Sequence, residues 1–215
     1  MTRNRLLYIL DHFAAHRIFI AWSGGKDSTI LLYILRDIWL QQRLPGPGPK
    51  AVSLDTGCKF PEVLNFRDQL AQAWDIDLII ARPNLDLSQY PLARDPVQCC
   101  LDLKVKPLQE TMRLHGAQVL FSGARLDEAP HRQNKPWLEE KDFYWQANPI
   151  LHWTEMDIWS GHQLAGLDYC PLYARGYRSL GCQPCTRKVE NGSEREGRNQ
   201  DKEDQLHLLS NLGYF

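Results

Sequence analysis

The chain has 215 residues, of which 43% are hydrophobic and 24% charged, and its formal net charge is −1 at pH 7. This is a globular composition, which excludes a disordered chain, a collagen and a coiled coil. The longest apolar run, residues 30–35, is far shorter than the roughly 20 residues that span a bilayer. The net charge indicates neither a nucleic-acid nor a membrane partner. The start lacks the pattern of a signal peptide, so we expect a cytoplasmic protein.

Strand and helix patterns alternate along the chain. In chain order they predict a helix at 2–15, a strand at 17–22, a helix from 27, a strand at 51–55, a helix at 61–74, a strand at 77–81, a helix from 100 to about 115, strands at 117–122 and 143–150, and a helix at 154–164. This alternation predicts an α/β fold with a doubly wound parallel sheet. We expect residues 1–168 to form a nucleotide-binding domain, with a cysteine-bearing C-terminal segment, 169–215, packed on it.

A glycine-rich loop lies between the first predicted strand and the following helix. Glycines let the backbone approach an anion, and the N-terminus of the helix directs N–H groups and a positive dipole end toward the same place. The loop is neither a Walker motif nor G-x-G-x-x-G. Its candidate phosphate ligands are Ser23, Gly24, Gly25, Lys26, Asp27 and Ser28.

Several segments resemble the motifs of one enzyme family. The loop resembles the PP-loop of the N-type ATP pyrophosphatases, which cleave ATP between its α and β phosphates. Leu54-Asp-Thr-Gly-Cys-Lys-Phe-Pro-Glu62, Gly123-Ala-Arg-Leu-Asp-Glu128 and Trp153-Thr-Glu-Met-Asp-Ile-Trp159 resemble segments of the reductases of adenosine 5'-phosphosulfate (APS) and of its 3'-phosphorylated form (PAPS). The resemblance covers nearly the whole chain.

The resemblance implies roles for the matched residues. The loop would hold phosphates, and Asp55, Thr56 and Gly123 would lie beside the nucleotide. Arg125 and Arg132 would grip oxyanions, because a guanidinium group binds them bidentately. The candidate catalytic residues are Lys26, Asp27, Cys58, Lys104, Arg125 and Arg132.

The six cysteines are clustered, with an adjacent pair and a C-x-x-C motif. In a reducing cytosol, such clusters favour metal binding or catalysis over disulfides. Both segments resemble motifs of APS reductases, and the resemblance implies a 4Fe–4S cluster on Cys99, Cys100, Cys182 and Cys185. A structural zinc site and unligated thiols are the alternatives.

Three further residues lie near these motifs. Lys104 follows Cys100 by one helical turn and could link a cluster to a bound anion. Cys170 is expected to be a packing residue. Cys58 follows Asp55-Thr-Gly at a predicted strand end, where its thiol is a candidate nucleophile or persulfide carrier.

The chain departs from the reductase pattern in two places. No cysteine follows Cys185, whereas these reductases carry a catalytic cysteine near the C-terminus. The loop contains Lys26, which the reductases tend to lack, and the segment from Ser193 to Phe215 resembles the tail of the ATP sulfurylase small subunit. We therefore predict an ATP pyrophosphatase that forms AMP and couples this reaction to cluster-dependent sulfur transfer, as in nucleic-acid thiolation or DNA phosphorothioation.

This hypothesis implies a 4Fe–4S cluster, ATP and Mg²⁺ as cofactors. The expected partners are a sulfur donor, such as a cysteine desulfurase, and further subunits in a homo- or hetero-oligomer. Three alternatives stay open. They are an APS or PAPS reductase with a displaced catalytic thiol and thioredoxin as reductant, an ATP sulfurylase small subunit, and a non-catalytic nucleotide-binding redox sensor.

Overall fold

A computed structural model describes residues 1–128, 135–205 and 208–209. In these ranges a six-stranded sheet forms the centre. Its strands are β1 (Ile18–Ala21), β2 (Lys50–Leu54), β3 (Leu78–Ala81), β4 (Val119–Phe121), β5 (Leu138–Glu140) and β6 (Trp145–Ala147). The spatial order is β3-β2-β1-β4-β6-β5, and every neighbouring pair is parallel except β5 with β6. The predicted α/β fold is confirmed, with one antiparallel edge strand that the sequence patterns did not predict.

Helices connect and flank the strands. They are α1 (Thr2–His12), α2 (Lys26–Gln41), α3 (Pro61–Ala73), α4 (Pro96–Cys100), α5 (Lys106–Leu114), α6 (Glu155–Ala165) and α7 (Gln200–Asp204). Within the described ranges, no helix combines the length and apolar character needed to cross a membrane. The strand predicted at 143–150 is reduced to β6, because a turn follows Asn148 and Pro149 cannot donate to a ladder.

Strand β1 buries both of its faces. Ile18 and Ile20 of β1 pack with α1, α2 and α6, while Phe19 and Ala21 pack on the opposite side with α5. Alternation of side chains along a strand assigns neighbouring residues to opposite faces. Because helices cover both faces, β1 reads as a continuous apolar run.

The chain changes direction at β1. It passes through α2 to β2 on one side and returns through α5 to β4 on the other side. In such sheets a crevice opens at the carboxyl ends of the two strands that flank the switch. The residues after β1 and β4 are therefore the ones that the fold brings together.

The cysteine pair lies on a helix that begins earlier than predicted. Asp95 caps α4 by accepting a hydrogen bond from the N–H of Gln98 at 3.0 Å, so Cys99 and Cys100 form the end of that helix. A π-helical turn, Leu101–Val105, joins α4 to α5. Pro107 has no backbone N–H to donate to a regular helix. The π-helical turn lies directly before α5, whose first turn contains Pro107, so the regular hydrogen-bond pattern is already interrupted there.

Helix α6 starts with a capping box at Thr154. The Thr154 hydroxyl accepts from the N–H of Asp157 at 3.1 Å, and the Asp157 carboxylate accepts from the N–H of Thr154 at 2.8 Å. We expect Thr154→Ala to lower the free energy of unfolding by about 1 kcal/mol, because one N–H at the start of the helix loses its partner. Urea unfolding followed by circular dichroism measures this loss. Thr154→Ser keeps the hydroxyl and is the control, and equal stability of the two variants would contradict the capping argument.

Candidate functional site

The phosphate loop adopts a conformation that depends on glycine. Gly24 has a φ of 76°, which residues with a Cβ rarely adopt, and a Cβ there would lie 3.2 Å from Val63. The Ser28 hydroxyl accepts from the N–H of Ser23 at 3.2 Å and donates to the carbonyl of Gly25 at 3.1 Å. These bonds close the loop against the first turn of α2, which is a favourable position for an anion.

A cleft opens at the carboxyl ends of β1, β2 and β4. The loop contributes Ser23, Gly25, Asp27 and Ser28 to its lining. Its basic lining residues are Lys59, Lys104, Arg195 and Arg198. The strands add an apolar wall that includes Val52 and Leu54. Serine hydroxyls, basic groups and an apolar wall in one cleft suit an anionic ligand with a flat apolar part.

Gly123 holds the end of β4 directly against the loop. A Cβ at this position would lie 3.0 Å from the nitrogen of Ser28 and 3.1 Å from the carbonyl carbon of Asp27. Both are backbone atoms, which cannot move aside as a side chain can. The sequence analysis predicts that Gly123 lies beside the nucleotide, and the structure places it against the phosphate loop and in the lining of the cleft.

Two predicted anion-binding side chains are buried in a network of ion pairs. Lys26 is 1% exposed and Arg125 is 0% exposed. Asp27 pairs with both, at 3.0 Å from Lys26 Nζ and 2.6 Å from Arg125 Nε. Glu194 also bridges both cations. Glu128 completes the group, since carboxylate oxygens of Asp27, Glu128 and Glu194 lie within 4.8 Å of one another.

The charges in this network, together with burial, shift the pKa values of Lys26, Arg125 and Glu194. Burial alone would lower the pKa of Lys26, but Asp27, Tyr173 and Glu194 raise it above its usual value. The pKa of Arg125 is raised as well, because Asp27 and Glu194 outweigh burial. Burial raises the pKa of Glu194, although Lys26 and Arg125 oppose this effect. Glu194 contacts both cations directly, and such contact favours its charged form.

The C-terminal segment provides a second contact to the loop. Tyr173 Oη accepts a hydrogen bond from the backbone N–H of Lys26 at 2.9 Å. On the other side, His162 of α6 bonds the carbonyl of Lys26 through Nε2 at 2.8 Å. Tyr173 and Glu194 thus both attach residues 169–215 to the start of α2. The sequence patterns did not indicate Glu194 as a site residue, because its partners lie more than 60 residues away along the chain.

Arg198 is the other site residue that sequence patterns missed. It is 5% exposed, lines the cleft and donates from Nη1 to the Ser179 hydroxyl at 3.3 Å. Its Nε has no hydrogen-bond partner among the described residues. By contrast, Arg195 pairs with Glu203 at 2.6 Å. Within the described ranges this buried guanidinium group forms no ion pair with a carboxylate, and at the wall of a cleft it is suited to an incoming oxyanion. The Glu-Arg-Glu-Gly-Arg string at 194–198 is the one signal that could have identified both residues.

Five cysteines line one small pocket beside the cleft. They are Cys58, Cys99, Cys100, Cys182 and Cys185. The end of α4 supplies one pair, and a helical turn at Gln183–Cys185 holds the other. The loop after β2 adds Cys58, whose carbonyl accepts from the N–H of Gln183 at 2.7 Å. Lys104 lines both this pocket and the cleft.

The thiols that line the cysteine pocket differ in the direction of their pKa shifts. Burial alone would raise the pKa of Cys182, but Lys104 and Lys59 lower it to about 7. Burial and the neighbouring thiols raise the pKa of Cys58. Cys182 is therefore the thiol closest to the thiolate form at neutral pH.

Other predicted residues lie away from the cleft lining. Thr56 is buried, with its Oγ1 3.2 Å from Cys182 Sγ, and Asp55 pairs with Arg82 at 3.1 Å. Neither is among the described residues that line the cleft. Cys170 packs in a separate apolar cluster with Val63, Phe66 and Leu172. Arg132 lies outside the described residues.

Comparison with known proteins assigns a family. Residues 17–188 match the phosphoadenosine phosphosulfate reductase domain. The chain belongs to this family. It is 34% identical over 191 residues to an adenosine 5'-phosphosulfate reductase of Bacillus velezensis, covering 84% of this chain and 78% of that protein. It is 36% identical over 163 residues to the corresponding protein of Streptomyces coelicolor, covering 71% and 68%.

A solved structure agrees with the assignment at the level of fold. The PAPS reductase of Candida auris, in a phosphate complex, matches with a TM-score of 0.71, 16% identity, and coverage of 87% of this chain and 90% of that chain. The family assignment confirms the resemblance given by the sequence motifs and places the chain among enzymes of sulfur metabolism. The APS reductase alternative is favoured over the ATP pyrophosphatase hypothesis, because relatives at this level of identity are APS reductases.

The close approach of Gly123 to the loop gives a testable prediction. We expect Gly123→Ala to weaken the binding of AMP and APS about 10-fold or more, because the added Cβ displaces the loop backbone. Isothermal titration calorimetry measures the affinity, and circular dichroism checks the fold. Gly48→Ala is the control, since its Cβ would make only an ordinary contact, 3.5 Å from Arg36. Unchanged affinity in Gly123→Ala would show that the ligand does not depend on the loop.

Proposed function

We propose that the chain binds APS in the cleft and cleaves it reductively to AMP and sulfite. The observation that carries the proposal is the position of Lys104, which lines both the cleft and the cysteine pocket. A single ammonium group therefore lies between the place for the nucleotide and a set of five thiols. The names of the relatives support the choice of APS.

The cleft offers separate surfaces for the two parts of this substrate. The apolar wall with Val52 and Leu54 suits the adenosine moiety. The hydroxyls of Ser23 and Ser28 suit the phosphate, because they lie at the N-terminus of α2. Arg198 and Lys104 suit the sulfate group, because its sulfur must face a thiol for reduction.

The cysteine pocket fits a 4Fe–4S cluster by its donors. Cys99, Cys100, Cys182 and Cys185 would hold it, since four thiolates are the usual ligands of such a cluster. When bound, the cluster would supply a fixed, redox-active charge next to Lys104. Lys104 would then orient the sulfate end of the nucleotide.

The spacing of the sulfurs is wider than a zinc site requires. Tetrahedral zinc with Zn–S bonds of about 2.3 Å places its ligands roughly 3.8 Å apart. Among the described residues, the one set of three or more metal-ligand types whose atoms lie within 4.8 Å of one another is made of carboxylates. This arrangement supports a larger group than a single zinc ion at the cysteines.

The reaction needs an attacking thiol, and no cysteine is among the described residues that line the cleft. A thiolate attacks the sulfur of APS, the bond from that sulfur to the phosphate oxygen breaks, and AMP leaves. A second thiol then attacks the sulfur of the first, which releases sulfite and leaves a disulfide. Cys58 lines the cysteine pocket and is not among the described residues that line the cleft. We therefore assign the attacking thiol to a thioredoxin-type partner.

A second candidate function is ATP cleavage to AMP and pyrophosphate. The observation that favours it is the set of carboxylates at Asp27, Glu128 and Glu194 beside the phosphate loop. Carboxylate oxygens are the donors that Mg²⁺ prefers, so the three residues fit the ion that accompanies ATP. Lys26 and Arg125 would then face the charge on the leaving pyrophosphate.

Parallel assays distinguish the two functions. Anaerobic protein is incubated with APS, PAPS or ATP, with thioredoxin and its reductase present. We expect sulfite from APS and no pyrophosphate from ATP. Pyrophosphate from ATP without sulfite from APS would establish the second candidate instead.

Cys58 is tested in the same assay. We expect Cys58→Ser to retain sulfite formation within about threefold, because the attacking thiol comes from the partner. Cys170→Ala is the matched control, since Cys170 packs outside the pocket. Loss of sulfite in Cys58→Ser alone, with iron content unchanged, would make Cys58 the nucleophile.

The cluster assignment is tested by metal analysis. We expect about four irons per chain in protein purified anaerobically. Cys182→Ser and Cys185→Ser should lose the iron, whereas Cys58→Ser and Cys170→Ala should keep it. Stoichiometric zinc in place of iron would contradict the assignment.

A further inference from the structure

Glu194 binds the two cations, Lys26 and Arg125, that would otherwise be available to a phosphate. Its carboxylate bridges Lys26 and Arg125, and it is 8% exposed. Both cations are fully buried, and neither is among the described residues that line the cleft. The loop therefore presents Ser23 and Ser28 to the cleft but keeps its lysine behind a carboxylate.

The cations around this point are already paired with carboxylates. Asp27 and Glu194 pair with Lys26 and Arg125, and Glu128, which lies beside them, pairs with Arg195. The backbone N–H of Lys26 is also occupied, because it donates to Tyr173 Oη. A further phosphate group placed here would face three carboxylates at low dielectric and would have to displace one of them to reach a cation.

We propose that Glu194 determines nucleotide choice, by occupying the anion-binding atoms of Lys26 and Arg125 so that the cleft accepts a phosphosulfate and rejects a triphosphate. The proposal rests on the proposed function for the identity of the accepted ligand. A phosphosulfate carries less negative charge than a triphosphate, and its expected partners are the Ser23 and Ser28 hydroxyls and Arg198 of the cleft lining. A triphosphate carries more charge and would compete with Glu194 for Lys26 and Arg125.

The opposite role for Glu194 is that of a metal ligand. If Mg²⁺ joined Asp27, Glu128 and Glu194, then removing one carboxylate would weaken the binding of ATP with Mg²⁺. The two roles therefore predict changes of opposite sign for the same variant. This difference makes the experiment decisive.

The experiment is calorimetric titration of wild type and Glu194→Gln with ATP and with APS, each with EDTA and then with excess Mg²⁺. Glutamine keeps the shape of the side chain and removes its charge. We expect Glu194→Gln to bind ATP about 10-fold tighter or more, because Lys26 and Arg125 lose their competing anion. The ratio of ATP affinity to APS affinity should therefore rise, because the expected partners of APS are Ser23, Ser28 and Arg198 of the cleft lining rather than these two cations.

A matched control lies two residues away. Glu196→Gln removes the same charge from an exposed position in the same segment, so its ATP affinity should equal that of wild type. Glu194→Asp is the second variant, because its shorter side chain cannot bridge both cations. It should show an intermediate gain in ATP affinity, and it carries the test if Glu194→Gln does not fold.

Three results would overturn the proposal. They are an ATP to APS affinity ratio that is the same in wild type and Glu194→Gln, an equal gain in Glu196→Gln, and a loss of ATP affinity with Mg²⁺ in Glu194→Gln. Each is a binding measurement and does not depend on turnover. Wild type that binds APS more tightly than ATP but forms no sulfite would refute the reductase function and leave the role of Glu194 intact.

Discussion

The bridge from Glu194 to Lys26 and Arg125 is the interaction on which the candidate site depends. It joins three distant parts of the chain, the start of α2, the residues after β4 and the C-terminal segment. Removing one partner of a buried ion pair costs about 3–5 kcal/mol, because the other charge stays buried without compensation. The C-terminal segment is thus held against the phosphate loop by charge. The same segment carries Arg198 to the cleft and Cys182 and Cys185 to the neighbouring cysteine pocket.

Much of the fold follows from local pattern. The apolar run of β1, the glycines after it and the capping box of α6 are all determined by neighbours in sequence, and the structure contains each of them. The edge strand β5 was not predicted, because Leu138–Glu140 has only one apolar residue and its pairing depends on β6. The start of α4 was missed for a similar reason. Its sequence signal is the cap formed by Asp95 and Pro96, which precedes the two cysteines.

The residues of the candidate site also differ in whether a local sequence pattern identifies them. The phosphate loop and the four clustered cysteines are short motifs, so the sequence alone identifies their residues as candidate ligands. Glu194 and Arg198 act through partners brought near only by folding, and a charged residue in a polar string has no local sign of burial. Asp55 and Thr56 show the reverse case, since a strand end predicts proximity to a ligand but not the direction of each side chain. In the structure, one faces Arg82 and the other faces Cys182.

Lys26 and the segment that begins at Ser193, which both depart from the reductase pattern, are in direct contact in the structure. Lys26 adds a positive charge to the loop, and Glu194 supplies the negative charge that neutralises it. A loop that holds a lysine in its motif can therefore behave toward a ligand like a loop that lacks one. The motif alone indicates an ATP-binding loop. In the folded protein, the residues that line the cleft include Ser23 and Ser28 of the loop together with Arg198 and Lys104. For this reason the lysine is weaker evidence for an ATP enzyme than its motif indicates, and the choice of nucleotide depends on a residue 168 positions away.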